Sequence, residues 1–140
     1  MMKKRVPVST IMTKNLVTAN VTDSLRHVSS LLKEHHIRHL PIVSGEQLVG
    51  IVSKSDIMRL SFGDMFDGQG AADEAVFDML KLEQVMVGNP ITVNEDDNIK
   101  DVAEKFAGVE FHALPVMNGD KITGIVSTTD LIKYLLEQYN

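Results

Sequence analysis

The chain has 140 residues, of which 44% are hydrophobic and 24% charged, with a formal net charge of −5 and no cysteine. This length allows one compact domain or two small units that share a core, and the absence of cysteine excludes disulfides, thiolate zinc sites and cysteine nucleophiles. Scattered basic residues argue against nucleic-acid binding, and the lack of a long apolar run argues against a membrane span, so we expect a cytoplasmic protein.

The sequence contains two copies of one unit. Residues 11–60 align with residues 85–134 without a gap when the chain is shifted by 74 positions. The matching residues fall at positions that demand a particular local structure: Met12 and Met86, Asn20 and Asn94, Asp23 and Asp97, Gly45 and Gly119, Gly50 and Gly124, and Asp56 and Asp130. This repeat determines the predicted architecture.

Each copy predicts the same series of elements. A short extended segment, at 16–18 or 91–93, precedes a helix-start signal and apolar residues at helical spacing. Two strand-like runs follow, and the short loop between them, centred on Gly45 or Gly119, predicts an antiparallel hairpin. A second helix ends each copy; in the last helix, 129–138, the predicted apolar side consists of Leu131, Ile132, Leu135 and Leu136.

The segment between the copies has no counterpart in the repeat. Residues 73–82 have apolar residues at helical spacing, which predicts a short amphipathic helix. The simpler interpretation is a connector that covers core edges; the alternative is a lid or dimer contact built from Met65, Phe66, Phe77 and Met79. The predicted organisation is a first repeat with its N-terminal extension over 1–60, a connector over 61–84 and a second repeat over 85–140.

Both copies resemble cystathionine-β-synthase (CBS) domains. The segments "IMTKNLVTA" and "VMVGNPITV" are similar to the openings of such domains, and "IRHLPIVSGEQLVGIVSKSDIMRL" and "FHALPVMNGDKITGIVSTTDLIKYL" are similar to their second halves. The resemblance covers nearly the whole chain except the first few residues and the connector. It implies an α+β fold in which two βαββα repeats pack with pseudo-twofold symmetry and form two clefts.

The resemblance also implies a ligand. Similar proteins bind AMP, ADP, ATP, S-adenosylmethionine or related adenosine compounds in these clefts and regulate an attached or separate effector protein. The family's Gly-x-x-Ser/Thr-x-x-Asp segment, which contacts the ribose, occurs here at 50–56 and at 124–130. The implied first cleft combines Asp56, Ser53, Ser55, Ile51 and Arg38 with Phe111, His112 and Ala113; the reciprocal cleft combines Asp130, Ser127, Thr129, Ile125 and His112 with Ile37, Arg38 and His39.

The repeated acidic motif has two interpretations. An ionised carboxylate can accept hydrogen bonds from both hydroxyls of a ribose, which suits Asp56 and Asp130. A serine followed three positions later by an acidic residue is also typical of a helix capping box, and the pattern alone favours capping. The repeat and the family resemblance favour ligand binding. Lys54 in the first copy is replaced by Thr128 in the second, so we expect unequal clefts, with the Asp56 cleft slightly better for a polyphosphate.

Other classes of function have weaker support in the sequence. His27, His35, His36 and His39 form the only group that resembles metal ligands, and solvated imidazoles near a helix end explain them better. No P-loop, G-x-S-x-G or G-x-G-x-x-G motif occurs, so we expect no catalytic residue and no metal. We expect a homodimer; the alternative function is a structural dimerisation or protein-docking module that binds no nucleotide.

Overall fold

The computed structural model describes residues 5–60 and 77–139. The chain divides into two compact units: a first unit of residues 17–90, and a second unit of residues 1–16 together with 91–140. Each unit contains one sheet and several helices, which confirms the predicted α+β class.

The two units share a β-α-β-β-α series of elements, to which each unit adds further short elements. The first unit contains β1 (Ala19–Asn20), α1 (Leu25–Glu34), β2 (His39–Ser44), β3 (Gln47–Ser53), α2 (Lys54–Leu60), a helical stretch at 77–79, α3 (Leu82–Val85) and β4 (Val87–Gly88). The second unit contains a 3-10 turn (Val8–Thr10), β5 (Val93–Asn94), α4 (Ile99–Ala107), β6 (Ala113–Asn118), β7 (Lys121–Ser127) and α5 (Thr128–Glu137).

The sheets repeat the same register. β1 runs parallel to β2, and β5 runs parallel to β6. The inner strands β2 and β6 form antiparallel hairpins with β3 and β7, respectively. Both predicted hairpins are confirmed, with two-residue loops that begin at Gly45 (φ +64°) and Gly119 (φ +62°). A positive φ at the first loop position is typical of the type II′ turn, which glycine adopts without steric cost.

The matched polar residues explain where the first helix of each repeat begins. The side chains of Ser24 and Asn98 accept a backbone N–H from three residues ahead, at 3.1 and 2.8 Å, and cap α1 and α4. Asp23 and Asp97 each accept a backbone N–H from three residues earlier, both at 2.8 Å. The recurrence of these residues in both copies therefore has a local structural cause.

Each unit has its own cluster of buried apolar side chains. In the first unit α1 packs on β2 and α2. The fully buried members of the cluster are Leu25, Val28, Leu40, Ile42, Val52 and Leu82. In the second unit the cluster consists of Val8, Val93, Val102, Phe106, Leu114, Val116 and Val126. Val8 comes before the sheet of the first repeat in the sequence, but its side chain is buried in the apolar cluster of the second repeat.

The opening segments of the two repeats are exchanged. Thr13, from the start of the first repeat, pairs with Ile125 in β7: its N–H donates to the Ile125 carbonyl at 2.8 Å and its carbonyl accepts from the Ile125 N–H at 3.1 Å. Val87, from the start of the second repeat, pairs with Ile51 in β3. The repeats of the sequence and the compact units of the structure therefore have different boundaries.

The exchange explains why both repeats have a methionine, Met12 or Met86, and a glycine, Gly50 or Gly124, at matching positions. The side chain of Met86 crosses β3 at Gly50, and that of Met12 crosses β7 at Gly124. A Cβ atom at Gly50 would clash with the Met86 Sδ and would lie 3.0 Å from the Val87 carbonyl oxygen. Only glycine leaves room for the crossing segment at these two positions.

The last helix differs from the prediction. Leu131 packs against the second core, but Ile132, Leu135 and Leu136 are 57%, 45% and 61% exposed, and no residue of α5 is fully buried. The amphipathic pattern correctly located a helix here, but its apolar side is largely uncovered within the described part of this chain.

The predicted connector helix lies only partly within the described residues. Residues 77–79 are helical, and Phe77 and Leu80 pack against the first core. The guanidinium of Arg26 in α1 donates to the Asp78 carboxylate at 2.8 Å. Met65 and Phe66, named for the alternative lid, lie outside the described residues, as does the first part of the 73–82 helix.

The end of α1 contains a residue in an unusual backbone conformation. His36 has φ +53°, in the left-handed region. The N–H of Ile37 donates to the Leu32 carbonyl at 3.1 Å and that of His36 to the Lys33 carbonyl at 3.3 Å, the two bonds of a Schellman motif. Glycine usually occupies this position because it has no Cβ to clash with the backbone.

We predict that Gly50→Ala destabilises the protein by about 1–2 kcal/mol, because the added methyl group overpacks the crossing of Met86. Urea unfolding measures the change in free energy. Gly88→Ala is the control, since a Cβ at Gly88 meets nothing within 4 Å. Equal effects of the two substitutions would show that the close approach at Gly50 is unimportant.

We predict that His36→Gly stabilises the protein by about 1 kcal/mol, since it removes the steric cost of a left-handed residue with a side chain. Thermal or urea unfolding gives the change. His35→Gly is the matched control: His35 has φ −95°, so glycine there gains nothing and adds flexibility to the unfolded chain. Stabilisation by both substitutions, or by neither, contradicts the explanation.

Candidate functional site

The repeated acidic motif forms the same hydrogen bonds in both units. The Ser53 N–H donates to Asp56 Oδ2 at 2.9 Å, and the Asp56 N–H donates to Ser53 Oγ at 3.1 Å. Ser127 and Asp130 form the equivalent bonds, also at 2.9 and 3.1 Å. The capping-box interpretation is therefore confirmed for both motifs, and any binding role of the carboxylates comes in addition to it.

The strand that follows the first helix lies beside each capping box. The N–H of Lys54 donates to the Arg38 carbonyl at 2.7 Å, and the N–H of Thr128 donates to the His112 carbonyl at 3.0 Å. His39 pairs with Ser53 across the first hairpin, and Ala113 pairs with Ser127 across the second. The start of the second helix in each repeat therefore lies next to the first residues of the preceding inner strand, β2 or β6.

These contacts define two half-sites. The first half-site, in the first unit, consists of Ile37, Arg38, His39, Ile51, Ser53, Ser55 and Asp56. The second half-site, in the second unit, consists of Phe111, His112, Ala113, Ile125, Ser127, Thr129 and Asp130. The sequence predicted that each cleft draws residues from both sets; since the sets belong to different units, that combination stays a prediction.

The half-site side chains differ in what they can offer a ligand. Arg38, Ser55, His112 and Thr129 are exposed and can donate hydrogen bonds, while the ring of Phe111 is 41% exposed. Ile51, Ile125 and the two aspartates are partly buried. Ala113 is only 6% exposed and belongs to the buried apolar residues, so its side chain contributes packing.

Sequence reasoning did not place the exchanged segments at the half-sites. Thr13 pairs with Ile125 of the second half-site, and Val87 pairs with Ile51 of the first. Asn89, two residues after Val87, has φ +47° and donates its N–H to the Val49 carbonyl at 3.3 Å. The repeated spacing of Met12 and Asn15, and of Met86 and Asn89, was a signal that these segments had a specific position.

A further residue distinguishes the two half-sites. The guanidinium Nη2 of Arg59 donates to Asp56 Oδ1, and the arginine side chain is 74% exposed while the aspartate side chain is 13% exposed. The equivalent residue of the second repeat is Lys133, and none of the described residues gives Asp130 Oδ1 a side-chain partner. Within the described residues, both carboxylate oxygens of Asp56 therefore accept a hydrogen bond, whereas only one oxygen of Asp130 does.

The second unit also contains a cavity of about 960 Å³ next to α5. Its lining includes no residue of either half-site, so it does not coincide with the site that the repeated motif indicates. The lining residues are Arg5, Val6, Asn98, Ile99, Lys100, Asp101, Ala103, Leu131, Ile132, Tyr134 and Leu135.

The predicted histidine group is divided between two elements. His35 and His36 lie at the end of α1, and His39 lies in β2, as expected from the strand pattern. Among residues 5–60 and 77–139, no group of three or more His, Cys, Asp or Glu side chains could hold a metal ion. In the same part of the chain, every helix is too short or too polar to span a membrane.

The fold and the repeated strand-to-helix motif define a tandem pair of CBS domains. The CBS domain family model matches residues 8–63 and 82–137. The chain therefore belongs to the CBS domain family, which confirms the resemblance seen in the sequence.

Related sequences come from archaea and bacteria. The protein YlbB of Bacillus subtilis is 30% identical over 132 residues, which are 93% of this chain and 81% of that protein. The protein MJ1225 of Methanocaldococcus jannaschii is 29% identical over 124 residues, which are 87% of this chain and 44% of that protein. The chain spans less than half the length of the first curated relatives that it matches.

Solved structures of CBS domain pairs have the same fold. The CBS domain pair of the protein MJ0100, crystallised in complex with 5′-methylthioadenosine and S-adenosyl-L-methionine, has a TM-score of 0.78 and 27% identity. The likeness covers 98% of this chain and 100% of that chain. Two adenosine compounds are thus bound by a domain pair of the same size and topology.

Proposed function

We propose that this chain is a regulatory module that binds an adenosine-containing molecule and signals to an effector protein, and that it catalyses no reaction. The ligands we propose are AMP, ADP or ATP, with S-adenosylmethionine as a further candidate. The observation that carries the proposal is the position of Asp56 and Asp130, each fixed at a helix start with its carboxylate partly buried. The adenosine compounds bound by the MJ0100 domain pair support it.

The carboxylates have the chemistry to recognise a ribose. An ionised carboxylate offers about four acceptor positions; the serine N–H uses one in each half-site, and the Arg59 guanidinium uses a second at Asp56. The remaining positions can accept hydrogen bonds from the 2′- and 3′-hydroxyls of a ribose, and such charge-assisted bonds are stronger than neutral ones. A deoxyribose lacks one of these donors, so the proposal predicts a preference for ribose.

The neighbouring residues suit the other parts of a nucleotide. Arg38 and Lys54 in the first repeat carry permanent positive charge for phosphate oxygens, whereas His112 and Thr128 at the equivalent positions do not. Ile51 and Ile125, or Ile37 and Phe111, offer apolar surface for an adenine face. Completion of each half-site by residues of the other repeat is part of the proposal.

A thermal-shift screen tests the proposed ligands. A compound at a hundredfold over its dissociation constant should stabilise the fold by about 2.7 kcal/mol, because it binds only the folded state. We expect AMP, ADP, ATP or S-adenosylmethionine to raise the melting temperature, and guanine nucleotides to raise it less. If no adenosine compound moves the melting curve, the proposed ligand class is wrong.

Substitution of the two aspartates locates the binding. We expect Asp56→Ala and Asp130→Ala each to remove one site in titration calorimetry, while the double substitution removes both. Asn98→Ala is the control, since Asn98 caps α4 through an equivalent side-chain bond of 2.8 Å but belongs to neither half-site. Loss of binding in the Asn98 variant would indicate general destabilisation instead of a lost ligand contact.

The alternative function, a dimerisation or docking module, has one observation in its favour. Ile132, Leu136 and Tyr139 at the C-terminal helix are 57%, 61% and 80% exposed, and large exposed apolar patches often mark interfaces. We propose that a second copy of the chain covers them, which gives the homodimer expected from the sequence. The cytoplasmic location stays a prediction.

We predict that Ile132→Glu and Leu136→Glu shift the protein from dimer to monomer in sedimentation velocity, since a charge is costly to bury in an apolar interface. Lys133→Glu, at a polar position of the same helix, is the control. A monomeric unsubstituted protein would contradict the homodimer. A dimer without any nucleotide binding would favour the structural alternative over the sensor.

A further inference from the structure

The two half-sites share a backbone but differ in what their carboxylates contact. The capping bonds are equal in length, at 2.9 and 3.1 Å in each unit. Asp56 Oδ1 additionally accepts from the Arg59 guanidinium, one helical turn further along α2. Asp130 Oδ1 has no such contact within the described chain, and Lys133, at the matching position of α5, makes no side-chain bond to it.

We propose that Arg59 is an affinity-determining residue of the first half-site, because its guanidinium competes with a ribose for the Asp56 carboxylate. This inference rests on the proposed binding of adenosine compounds. A ribose that uses Asp56 must displace or share the Nη2 contact at Oδ1, whereas a ribose at Asp130 meets an oxygen that accepts no side-chain hydrogen bond from residues 5–60 and 77–139. For an uncharged nucleoside, the second half-site is therefore the tighter one.

The exposure of the two side chains sets the size of the effect. The Arg59 side chain is 74% exposed, so it can leave Asp56 and remain solvated, and the competition raises the dissociation constant without closing the site. Because the arginine partner is largely exposed to solvent, the ion pair is weak. We therefore expect removal of the guanidinium to tighten adenosine binding at the first half-site by roughly two- to fivefold.

Adenosine is the suitable probe, because it has the ribose but no phosphate to attract Arg59. Asp130→Ala isolates the first half-site, and Asp56→Ala isolates the second. In the Asp130→Ala background, Arg59→Ala and Arg59→Gln should both lower the dissociation constant of adenosine in titration calorimetry. The Gln variant keeps most of the side-chain length and helix propensity, so agreement between the two excludes an effect of altered packing.

The matched control is Lys133→Ala in the Asp56→Ala background, where we expect an unchanged dissociation constant. Unchanged or weaker adenosine binding in both Arg59 variants would overturn the inference while leaving the proposed function intact. If the unsubstituted chain binds AMP, ADP, ATP or S-adenosylmethionine but not adenosine, the competition is overturned and the proposed function stands. If it binds none of these compounds, the proposed function is wrong and this inference falls with it. Tightening by Lys133→Ala of the same size would show a general charge effect and would also overturn the competition.

Discussion

Both half-sites depend on one local requirement, which is that the first backbone N–H groups of a helix need acceptors. β3 runs directly into α2 and β7 directly into α5, so no loop residue is available to cap the helix. The last serine of each strand supplies its hydroxyl, and the aspartate three positions later accepts the serine N–H in return. The bonds that start the helix therefore also fix the orientation of the carboxylate proposed to bind ribose. A free carboxylate on a mobile loop would lose side-chain entropy on binding, whereas this one is already held in place.

The exchange of opening segments supplies the second constraint. A sheet built from one repeat would expose the backbone of β3 or β7 along its outer edge, and such edges pair readily with other strands. β4 covers this edge in the first unit, and the pairing of Thr13 with Ile125 covers it in the second. The methionine that crosses Gly50 or Gly124 belongs to the covering segment, so a larger residue at either glycine would push that segment away. Neither repeat is thus a complete packing unit by itself, although each is complete as a sequence pattern.

Features governed by local chemistry could be predicted from the sequence. The hairpins follow from the glycine loops, and the helix starts follow from Ser24 and Asn98, because turns and caps depend on residues close in the chain. The exchange could not be predicted, since a shift of 74 positions shows which residues are equivalent but not which ones touch. The exposure of Ile132 and Leu136 was missed for a related reason: amphipathic spacing locates an apolar side without identifying what covers it. His36 was missed because the left-handed end of α1 is usually signalled by glycine.

Under the proposed function, the same backbone with different side chains gives the two half-sites different preferences within one class of ligand. In the first repeat Arg38 and Lys54 favour phosphate, while Arg59 occupies the carboxylate that would hold the ribose. In the second repeat the carboxylate is freer, but the permanent charges beside it are absent. A ligand changes the state of a protein only through its different affinities for the two states, so sites of unequal affinity respond at different concentrations. Two equal sites would report one threshold. The proposal therefore implies that the phosphorylation state of the ligand decides which half-site fills first, so that two repeats with one backbone distinguish a nucleotide from its nucleoside.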